Sequence, residues 1–234
     1  MKPAACRAAA VESGLLFINE IYPAICGESR FIGRPCTLVR LTGCHLRCVW
    51  CDSEHSFQGG RRLSVDEILA EVRTNGFETV LVTGGEPLLQ EAVVDLMAAL
   101  RADGRTVLLE TSGTIGPANA VGLDRVPAGV HRIVDIKAPG SGIDAALIDW
   151  AGIARLGAGD EVKFVCNGRG DYEWSRDLVV AGKRIPAEVT PCFSPVEGAL
   201  APRELAEWIL EDKLDACFQI QLHRAVWPDI TRGV

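Results

Sequence analysis

The sequence predicts an α/β fold built on a parallel sheet, and two observations support this prediction. Short runs rich in β-branched residues alternate with helical patterns along the 234 residues, and proline or glycine marks several of the joints between them. Such alternation is typical of parallel strands joined by crossover helices. The predicted strands are Thr37–Leu41, Thr79–Val82, Thr106–Glu110, Arg132–Ile136, Glu161–Val165, Val189–Phe193 and Phe218–Leu222.

The helix predictions rest on signals at the ends of the helical patterns. Ser64 is a candidate N-cap with Glu67 three residues on, which is the pattern of a capping box. Pro87 and Pro202 stand where a first helical turn tolerates proline, and Gly104 follows the second helix. The predicted helices are Val65–Thr74, Leu88–Ala102, Ile143–Ala154, Glu173–Val180 and Arg203–Leu214.

Composition and charge narrow the class of protein. Apolar residues make up 48% and charged residues 24%, which predicts a folded globular domain over residues 1–234, with 1–18 as a flexible N-terminal extension. That extension lacks the clean apolar core and cleavage site of a signal peptide. No apolar run reaches the ~18 residues of a membrane span. The net charge of −7 argues against nucleic acid as a partner. We therefore expect a cytoplasmic protein without a membrane or nucleic-acid partner.

Polar residues follow or close most of the predicted strands. In parallel α/β folds, ligand sites form at the carboxyl ends of the strands. The polar side chains and paired glycines at these positions therefore predict a ligand site at one edge of the sheet. They are Arg40, Thr83, Gly84, Gly85, Glu86, Glu110, Thr111, Ser112, Asp135, Lys137, Lys163, Ser194 and His223.

Three of the nine cysteines fall within eight residues, directly after the first predicted strand. Cys44, Cys48 and Cys51 have the spacing C-x3-C-x2-C, which places three soft ligands on one short loop. A structural zinc site needs four ligands, and His55 could be the fourth. A 4Fe–4S cluster held by only three cysteines would instead keep one iron open for chemistry. The cysteines at 166, 192 and 217 are expected to be small buried hydrophobic residues.

The next motif favours the cluster over zinc. Val80–Pro87 reads as a strand that runs into two glycines, an acid and a helix-starting proline. Two glycines at a strand end leave backbone N–H and C=O groups unshielded, so a small zwitterion could pair with them. A zinc knuckle has no use for such a turn.

Together these motifs resemble the radical S-adenosylmethionine superfamily, and within it the 7-carboxy-7-deazaguanine synthase family. The cysteine triad followed by Gly84-Gly85-Glu86-Pro87 carries the superfamily resemblance. The segment from Ile25-Cys26-Gly27-Glu28 to Cys51-Asp52-Ser53 carries the family resemblance, which extends from about Asn19 to the end of the chain. Further matching motifs are Gly33-Arg34-Pro35, Glu110–Thr114, Asp135–Gly142, Lys163–Val165, Ser194–Val196 and Leu222–Arg224.

The resemblance implies an abridged (partial) β/α barrel, an enzyme and a homodimer. It implies a 4Fe–4S cluster and S-adenosylmethionine as cofactors, an electron donor of the flavodoxin or ferredoxin type, and Mg²⁺. In the family, reductive cleavage of S-adenosylmethionine gives a 5′-deoxyadenosyl radical, which takes a hydrogen atom from 6-carboxy-5,6,7,8-tetrahydropterin. The ring contracts, ammonia leaves, and 7-carboxy-7-deazaguanine forms for queuosine or other deazapurines. The hydrogen then returns, so S-adenosylmethionine acts as a reusable cofactor.

The resemblance also implies roles for residues of this chain. The cluster ligands are Cys44, Cys48 and Cys51, and Ser53 is the Mg²⁺ ligand. The S-adenosylmethionine contacts are Trp50, Cys51, Asp52, Gly85, Glu86, Asp135, Ile136, Lys137 and Ser194. The substrate contacts are Ile25, Cys26, Gly27, Glu28, Arg40, Thr83, His223 and the terminal carboxylate of Val234. Arg40 is chemically suited to clamp a substrate carboxylate with two parallel hydrogen bonds.

Two positions depart from the family pattern. Ser53 stands where the family usually has threonine, and it keeps the hydroxyl that a hard metal ion prefers. Cys26 stands where glutamine is common, and a thiol is a poor hydrogen-bond partner, so that side-chain contact is in doubt. Two alternatives stay open at this point. One is another radical enzyme of the same superfamily, such as an activase, and the other is a zinc-stabilised binding module.

Overall fold

The computed structural model describes residues 14–118, 120–230 and 232–233 of the chain. Nine strands form one sheet, in the order β3-β1-β2-β4-β5-β6-β7-β8-β9. We propose that these strands and the helices around them form one domain, as the sequence predicts. The strands are β1 (Leu15–Ile25), β2 (Pro35–Leu41), β3 (Arg61–Ser64), β4 (Thr79–Gly84), β5 (Thr106–Thr111), β6 (His131–Asp135), β7 (Glu161–Cys166), β8 (Thr190–Pro195) and β9 (Cys217–Phe218).

Six of the seven predicted strands are confirmed as β2 and β4 to β8, and with the short β9 they form the parallel part of the sheet. Strand β4 is buried along its whole length, because a central parallel strand is covered on both faces. The last prediction, Phe218–Leu222, is mostly wrong: β9 covers only Cys217–Phe218, and a short helix begins at Leu222. Ser194 lies within β8 rather than after it.

Strands β1 and β3 are antiparallel additions that the sequence analysis did not predict. Residues 1–13 lie outside the described residues, but Leu15–Ile18 belong to β1, with Leu16 and Ile18 fully buried. The prediction of an N-terminal extension is therefore wrong for residues 15–18, which belong to the sheet. Pro23 is tolerated in β1 because β3 pairs only with Leu15–Ile18, which leaves that part of β1 at an edge.

Six helices accompany the sheet. They are α1 (Val65–Asn75), α2 (Val93–Ala102), α3 (Trp150–Ile153), α4 (Arg169–Ala181), α5 (Pro202–Glu211) and α6 (Leu222–Val226). Helix α1 has the predicted capping box, with both the Ser64 and the Glu67 side-chain bonds formed. Within the residues that the structure describes, no helix is long and apolar enough to cross a membrane.

Two predicted helices are shorter than expected, for local reasons. The helix expected from Leu88 begins only at Val93, because Pro87–Leu89 forms a 3-10 turn and the Gln90 side chain bonds to the backbone of Phe17 and Thr42. The helix expected over 143–154 is a 3-10 turn followed by the single turn of α3. Asp144 and Asp149 each cap a separate short segment there, which interrupts the helix.

The inner face of the sheet carries an apolar layer with a polar layer above it. Leu38, Leu81 and Leu108 lie side by side in register and belong to one small apolar cluster with Ile133. Alternate residues of a strand share a face. The residues two positions further along these four strands therefore face the same side, nearer the carboxyl ends: they are Arg40, Thr83, Glu110 and Asp135. The main core lies between the sheet and the helices.

Candidate active site

A cavity of about 420 Å³ opens at the carboxyl ends of the parallel strands. It brings most of the predicted site residues together, from β1, the cysteine loop, the ends of β2 and β4 to β7, and α6. The predicted residues that line it are Ile25, Gly27, Glu28, Arg40, Cys44, Cys48, Trp50, Cys51, Asp52, Ser53, Thr83, Gly85, Asp135, Lys137 and His223.

The cysteine loop follows β2, which ends at Leu41, and two backbone hydrogen bonds of Gly43 anchor its base. The N–H of Gly43 donates to the carbonyl of Ser56 at 2.8 Å, and the carbonyl of Gly43 accepts from the N–H of Glu86 at 2.8 Å. The three thiols of this loop are half-buried. Their contacts are weak: the Cys44 Sγ accepts from the N–H of Leu46 at 3.4 Å, and Cys51 Sγ lies 3.9 Å from Ser53 Oγ. The loop is anchored at its base, while the thiols themselves face the cavity.

The donor set fits a multi-iron cluster better than a single zinc ion. Among the described residues, no three Cys, His, Asp or Glu side chains form a group that could hold one metal ion. His55, the fourth ligand of the zinc alternative, uses Nε2 to contact Glu20 Oε1 at 2.9 Å. Burial raises the pKa of the Cys44 thiol to about 11, so the thiol is neutral until a metal displaces its proton. Three thiols on one loop match the three-cysteine cluster with an open iron.

The glycine turn after β4 packs directly against the cysteine loop. A Cβ on Gly85 would lie 2.4 Å from the carbonyl oxygen of Gly43 and 2.7 Å from the Cβ of Cys44, so only glycine fits there. Glu86 is 2% exposed and is not among the residues that line the cavity. Its carboxylate accepts hydrogen bonds from Thr111 Oγ1 at 2.7 Å and from the N–H and hydroxyl of Ser112 at 2.8 and 2.6 Å. The side chain of Glu86 therefore ties the turn to the end of β5.

A buried ion-pair network crosses the floor of the cavity. Lys163 Nζ lies 2.7 Å from Glu28 Oε2 and 3.5 Å from Asp135 Oδ2, and Lys137 Nζ lies 2.9 Å from the same Asp135 oxygen. Burial opposes ionisation of Asp135, but the two lysines outweigh it and hold its pKa below the usual range. Among the residues that the structure describes, Glu28 Oε1 and Asp135 Oδ1 are buried and find no hydrogen-bond partner. These two oxygens are available to ligand donors.

A second ion pair lies on the adjoining wall. Arg40 Nε donates to Glu20 Oε1 at 2.8 Å, and both side chains are at most 20% exposed. Thr83 stands beside Arg40 in register, and its hydroxyl donates to Glu110 Oε2 at 3.2 Å. Burial raises the pKa of Glu110 against the pull of Lys163 and Arg40. This wall therefore combines a paired guanidinium with a carboxyl group that resists ionisation.

Several predicted residues lie elsewhere. Cys26 is 1% exposed, packs in the apolar layer below the cavity, and has its N–H and C=O bonded to Arg34 and Gly33. Ile136 is fully buried in the main core. Ser194 is 1% exposed, and its hydroxyl has no hydrogen-bond partner among the described residues. Val234 lies outside the described residues, so its predicted role stays a prediction.

Sequence reasoning placed Glu110 and Lys163 at the predicted sheet edge without a specific role, and it did not single out Glu20, Tyr22 or Gln221, which also line the cavity. Glu20 and Tyr22 lie on β1, the strand that the sequence analysis did not predict. Glu110 and Lys163 close predicted strands or lie within them, and counting by two from the apolar layer would have placed Glu110 on the inner face. Gln221 had no signal in the sequence.

The parallel fold and the three-cysteine loop define a class of enzyme, and the comparisons agree. The model of the Radical SAM superfamily matches residues 38–181, so the chain is a radical S-adenosylmethionine enzyme. It is 42% identical to the 7-carboxy-7-deazaguanine synthase of Koribacter versatilis (strain Ellin345) over 233 residues, covering 93% of this chain and 99% of that protein. It is 40% identical to the enzyme of that name from Chlorobaculum tepidum, covering 94% and 97%. The chain belongs to the 7-carboxy-7-deazaguanine synthase family.

Solved structures confirm the fold. The crystal structure of QueE from Escherichia coli superposes with a TM-score of 0.71 at 22% identity, covering 88% of this chain and 94% of that one. Streptococcus suis SuiB bound to S-adenosylmethionine gives a TM-score of 0.55 at 14% identity, covering 80% and 48%. The predicted partial β/α barrel is therefore confirmed. Membership of the superfamily also confirms the predicted 4Fe–4S cluster and S-adenosylmethionine as cofactors.

Proposed function

We propose that this chain converts 6-carboxy-5,6,7,8-tetrahydropterin into 7-carboxy-7-deazaguanine with release of ammonia. The observation that carries the proposal is that one cavity joins the three-cysteine loop to the buried Glu28–Lys163 and Arg40–Glu20 pairs. The name of the curated relatives supports the product. A radical generator and a polar pocket for a carboxylated heterocycle therefore lie within one site.

On the cofactor side, we propose that Cys44, Cys48 and Cys51 hold the cluster. When bound, the cluster supplies the electron that cleaves S-adenosylmethionine into methionine and a 5′-deoxyadenosyl radical. The Gly85 turn packs against the cysteine loop and lines the cavity, which places it beside the amino-acid part of the cofactor. The remaining proposed contacts are Trp50, Asp52, Glu86, Asp135, Ile136, Lys137 and Ser194. Of these, Trp50, Asp52, Asp135 and Lys137 line the cavity.

On the substrate side, we propose that Arg40 binds the pterin carboxylate and that Glu28 binds the aminopyrimidine edge. Glu28 Oε2 accepts a hydrogen bond from Lys163 Nζ at 2.7 Å, which fixes the carboxylate. Its Oε1 has no hydrogen-bond partner among the described residues and can accept a bond from the substrate. Thr83 and His223 complete the proposed contacts. Burial lowers the pKa of His223, so the ring is neutral at neutral pH. The proposed contacts of Ile25 and Gly27 would come from their backbone, whereas Cys26 could offer only the second lone pair of its carbonyl oxygen, because its N–H and C=O are already bonded to Arg34 and Gly33.

Three further features belong to the proposal. Ser53 lies beside Cys51 at the cavity and offers a hydroxyl to Mg²⁺. A flavodoxin- or ferredoxin-type donor supplies the electron, and the enzyme acts as a cytoplasmic homodimer. The cysteines that the structure describes are free thiols, which supports a reducing compartment.

Anaerobic turnover tests the proposed reaction. The reconstituted enzyme is incubated with S-adenosylmethionine, dithionite, Mg²⁺ and 6-carboxy-5,6,7,8-tetrahydropterin, and the product is identified by mass. We expect 7-carboxy-7-deazaguanine and ammonia in equal amounts. Cleavage of S-adenosylmethionine without this product would instead indicate another radical enzyme, such as an activase.

A further inference from the structure

The segment Gln219–His223, here called the C-terminal clasp, joins β9 to the start of α6 and contacts the loop that carries Glu28. The N–H of Ser29 donates to Gln219 Oε1 at 2.6 Å. The N–H of Leu222 donates to the carbonyl of Gly27 at 2.9 Å. A Cβ on Gly27 would lie 2.5 Å from His223 Nδ1, so the two segments approach as closely as glycine allows. The clasp therefore holds the residues on both sides of Glu28.

The same clasp also reaches the cysteine loop. Gln221 Nε2 donates to Asp52 Oδ2 at 3.0 Å. Asp52 directly follows Cys51, and all three residues line the cavity. The Gln219 side chain contacts the loop that carries Glu28, and the Gln221 side chain, two positions later, contacts the cysteine loop. One end of the chain is thereby bonded to both the substrate side and the cofactor side of the site.

Ser29 shows why the Glu28 loop needs this support. Its φ is +68°, in the left-handed region that residues other than glycine rarely adopt. The residue is 5% exposed, and its hydroxyl accepts from the N–H of Phe31 at 3.0 Å. Without an acceptor for its buried N–H, this conformation would carry both backbone strain and an unsatisfied donor. Gln219 Oε1 supplies that acceptor, and the residue is itself 7% exposed. Its Nε2 has no hydrogen-bond partner among the described residues.

We propose that the clasp is a positioning element with two separable arms. The Gln219 arm fixes the Ser29 conformation and thereby aims Glu28 at the pterin, whereas the Gln221 arm orients Asp52 beside the cluster ligand Cys51. The Gln219 arm rests on the proposed function, because it concerns the pterin pocket. The Gln221 arm needs only the cofactor of the superfamily. Neither glutamine is a catalytic residue: each acts through the residue that it holds.

The roles of the two arms can be distinguished by measuring how each variant binds the two ligands. Gln219→Met and Gln221→Met are made in the full chain, reconstituted with the cluster, and titrated by calorimetry with S-adenosylmethionine and with 6-carboxy-5,6,7,8-tetrahydropterin. Loss of one hydrogen bond that orders a loop is expected to weaken binding about tenfold. Gln219→Met should show this loss for the pterin only, with a raised KM and an unchanged kcat. Gln221→Met should show it for S-adenosylmethionine only. Gln58→Met, at an exposed position, is the matched control.

A second variant tests the strain argument. Glycine adopts the left-handed region freely, so Ser29→Gly should restore part of the pterin affinity in the Gln219→Met background, because it removes the strain but not the unsatisfied N–H. Equal weakening of both ligands by either variant, or no rescue by glycine, would overturn the clasp as a positioning element. Unchanged pterin binding by Gln219→Met would overturn that arm. A wild-type enzyme that binds S-adenosylmethionine but not the pterin would overturn the proposed function, while the Gln221 arm would still be decided by cofactor binding.

Discussion

The two sides of the cavity differ in how completely their side chains are paired. On the proposed substrate side, Glu28 pairs with Lys163 in a buried contact, and Arg40 pairs with Glu20 on the adjoining wall. Lys163 also contacts Asp135, a proposed cofactor contact. On the cysteine loop, the thiol contacts are long, at 3.4 Å for Cys44 and 3.9 Å for Cys51. The first side is organised by the protein's own charges, whereas the described thiols of the second side have only these long contacts.

This difference shows which side depends on its ligand. A paired, buried charge keeps its geometry without substrate, so little ordering remains to be done on binding. A loop of three weakly bonded cysteines gains its full set of bonds only when it binds the metal cluster. We therefore expect loss of the cluster to abolish function while the fold survives, and loss of a charge on the other side to act more selectively.

The largest expected effect is on the cysteine loop. Replacing Cys44, Cys48 or Cys51 by alanine should remove the brown colour and turnover, while thermal unfolding of the apoprotein shifts little, because the thiols are half-buried and weakly bonded. Iron content and circular dichroism check this. Cys217→Ala, at an exposed position, is the control and should keep the cluster. Full iron in Cys51→Ala, or loss of iron in His55→Ala, would contradict the ligand assignment.

The second largest effect is expected from a substitution that disrupts only the proposed substrate side. Arg40→Met should weaken binding of 6-carboxy-5,6,7,8-tetrahydropterin by a factor of order 10²–10³, because removing one partner of a buried charged pair costs ~2–5 kcal/mol. The cluster, S-adenosylmethionine binding and slow uncoupled cleavage should survive. Lysine at this position should rescue only part of the loss, since it lacks the guanidinium fork.

Calorimetric titration of both ligands decides between this role and a purely structural one. Arg34→Met, an exposed arginine from the preceding turn, is the matched control. If Arg40→Met lost the affinity for both ligands equally and also lost stability, the Arg40–Glu20 pair would be structural, and the assignment to the substrate carboxylate would be wrong.

A smaller effect appears in acid. The pKa of Asp135 is held low in the folded state, so its contribution to stability is present above the unfolded value of 3.8 and is lost as the pH falls through that range. Lys163→Met removes one of the two cations that hold the pKa down. Acid unfolding, followed by circular dichroism, should then begin about one pH unit higher. Lys183→Met, at an exposed position, should unfold as the wild type does, and an unchanged transition in Lys163→Met would contradict the role of the network.

The smallest expected effect concerns Mg²⁺. Ser53→Ala should weaken the enhancement of turnover by Mg²⁺ about threefold, because one oxygen ligand among several waters is lost. Ser53→Thr should keep or improve it, since threonine retains the hydroxyl and restricts its rotation. Steady-state rates over a series of Mg²⁺ concentrations measure the difference. An alanine variant with the wild-type response would show that Ser53 is not a ligand.

The sequence predicted the parallel strands well because their apolar runs are long and bounded by glycine or proline. It missed β1, since Asn19, Glu20 and Pro23 break the apolar pattern of a strand that is half at the sheet edge. It missed β3 because Arg61–Ser64 is short and polar. Element ends that depend on distant contacts, such as the Gln90 bonds before α2, leave no local signal.

The candidate site was predictable where a residue belongs to a motif and hidden where it acts through a neighbour. The cysteines carry their chemistry in their own spacing, and the family resemblance points to Arg40 and Glu28. Lys163 becomes meaningful only when its strand lies beside β6 and brings it to Asp135. Cys26 shows the opposite case: it follows a strand and adjoins the site in sequence, but the alternation of side chains turns it into the apolar layer.

The contact of Gly85 with the cysteine loop has a mechanical consequence. With 2.4 Å between a hypothetical Cβ at this position and the oxygen of Gly43, the two loops touch backbone to backbone, with no side chain between them to act as a cushion. A displacement of either loop is transmitted directly to the other. In the proposed assignment, where the cysteines hold the cluster and the Gly85 turn contacts the methionine group, main-chain geometry would set the distance between these two sites.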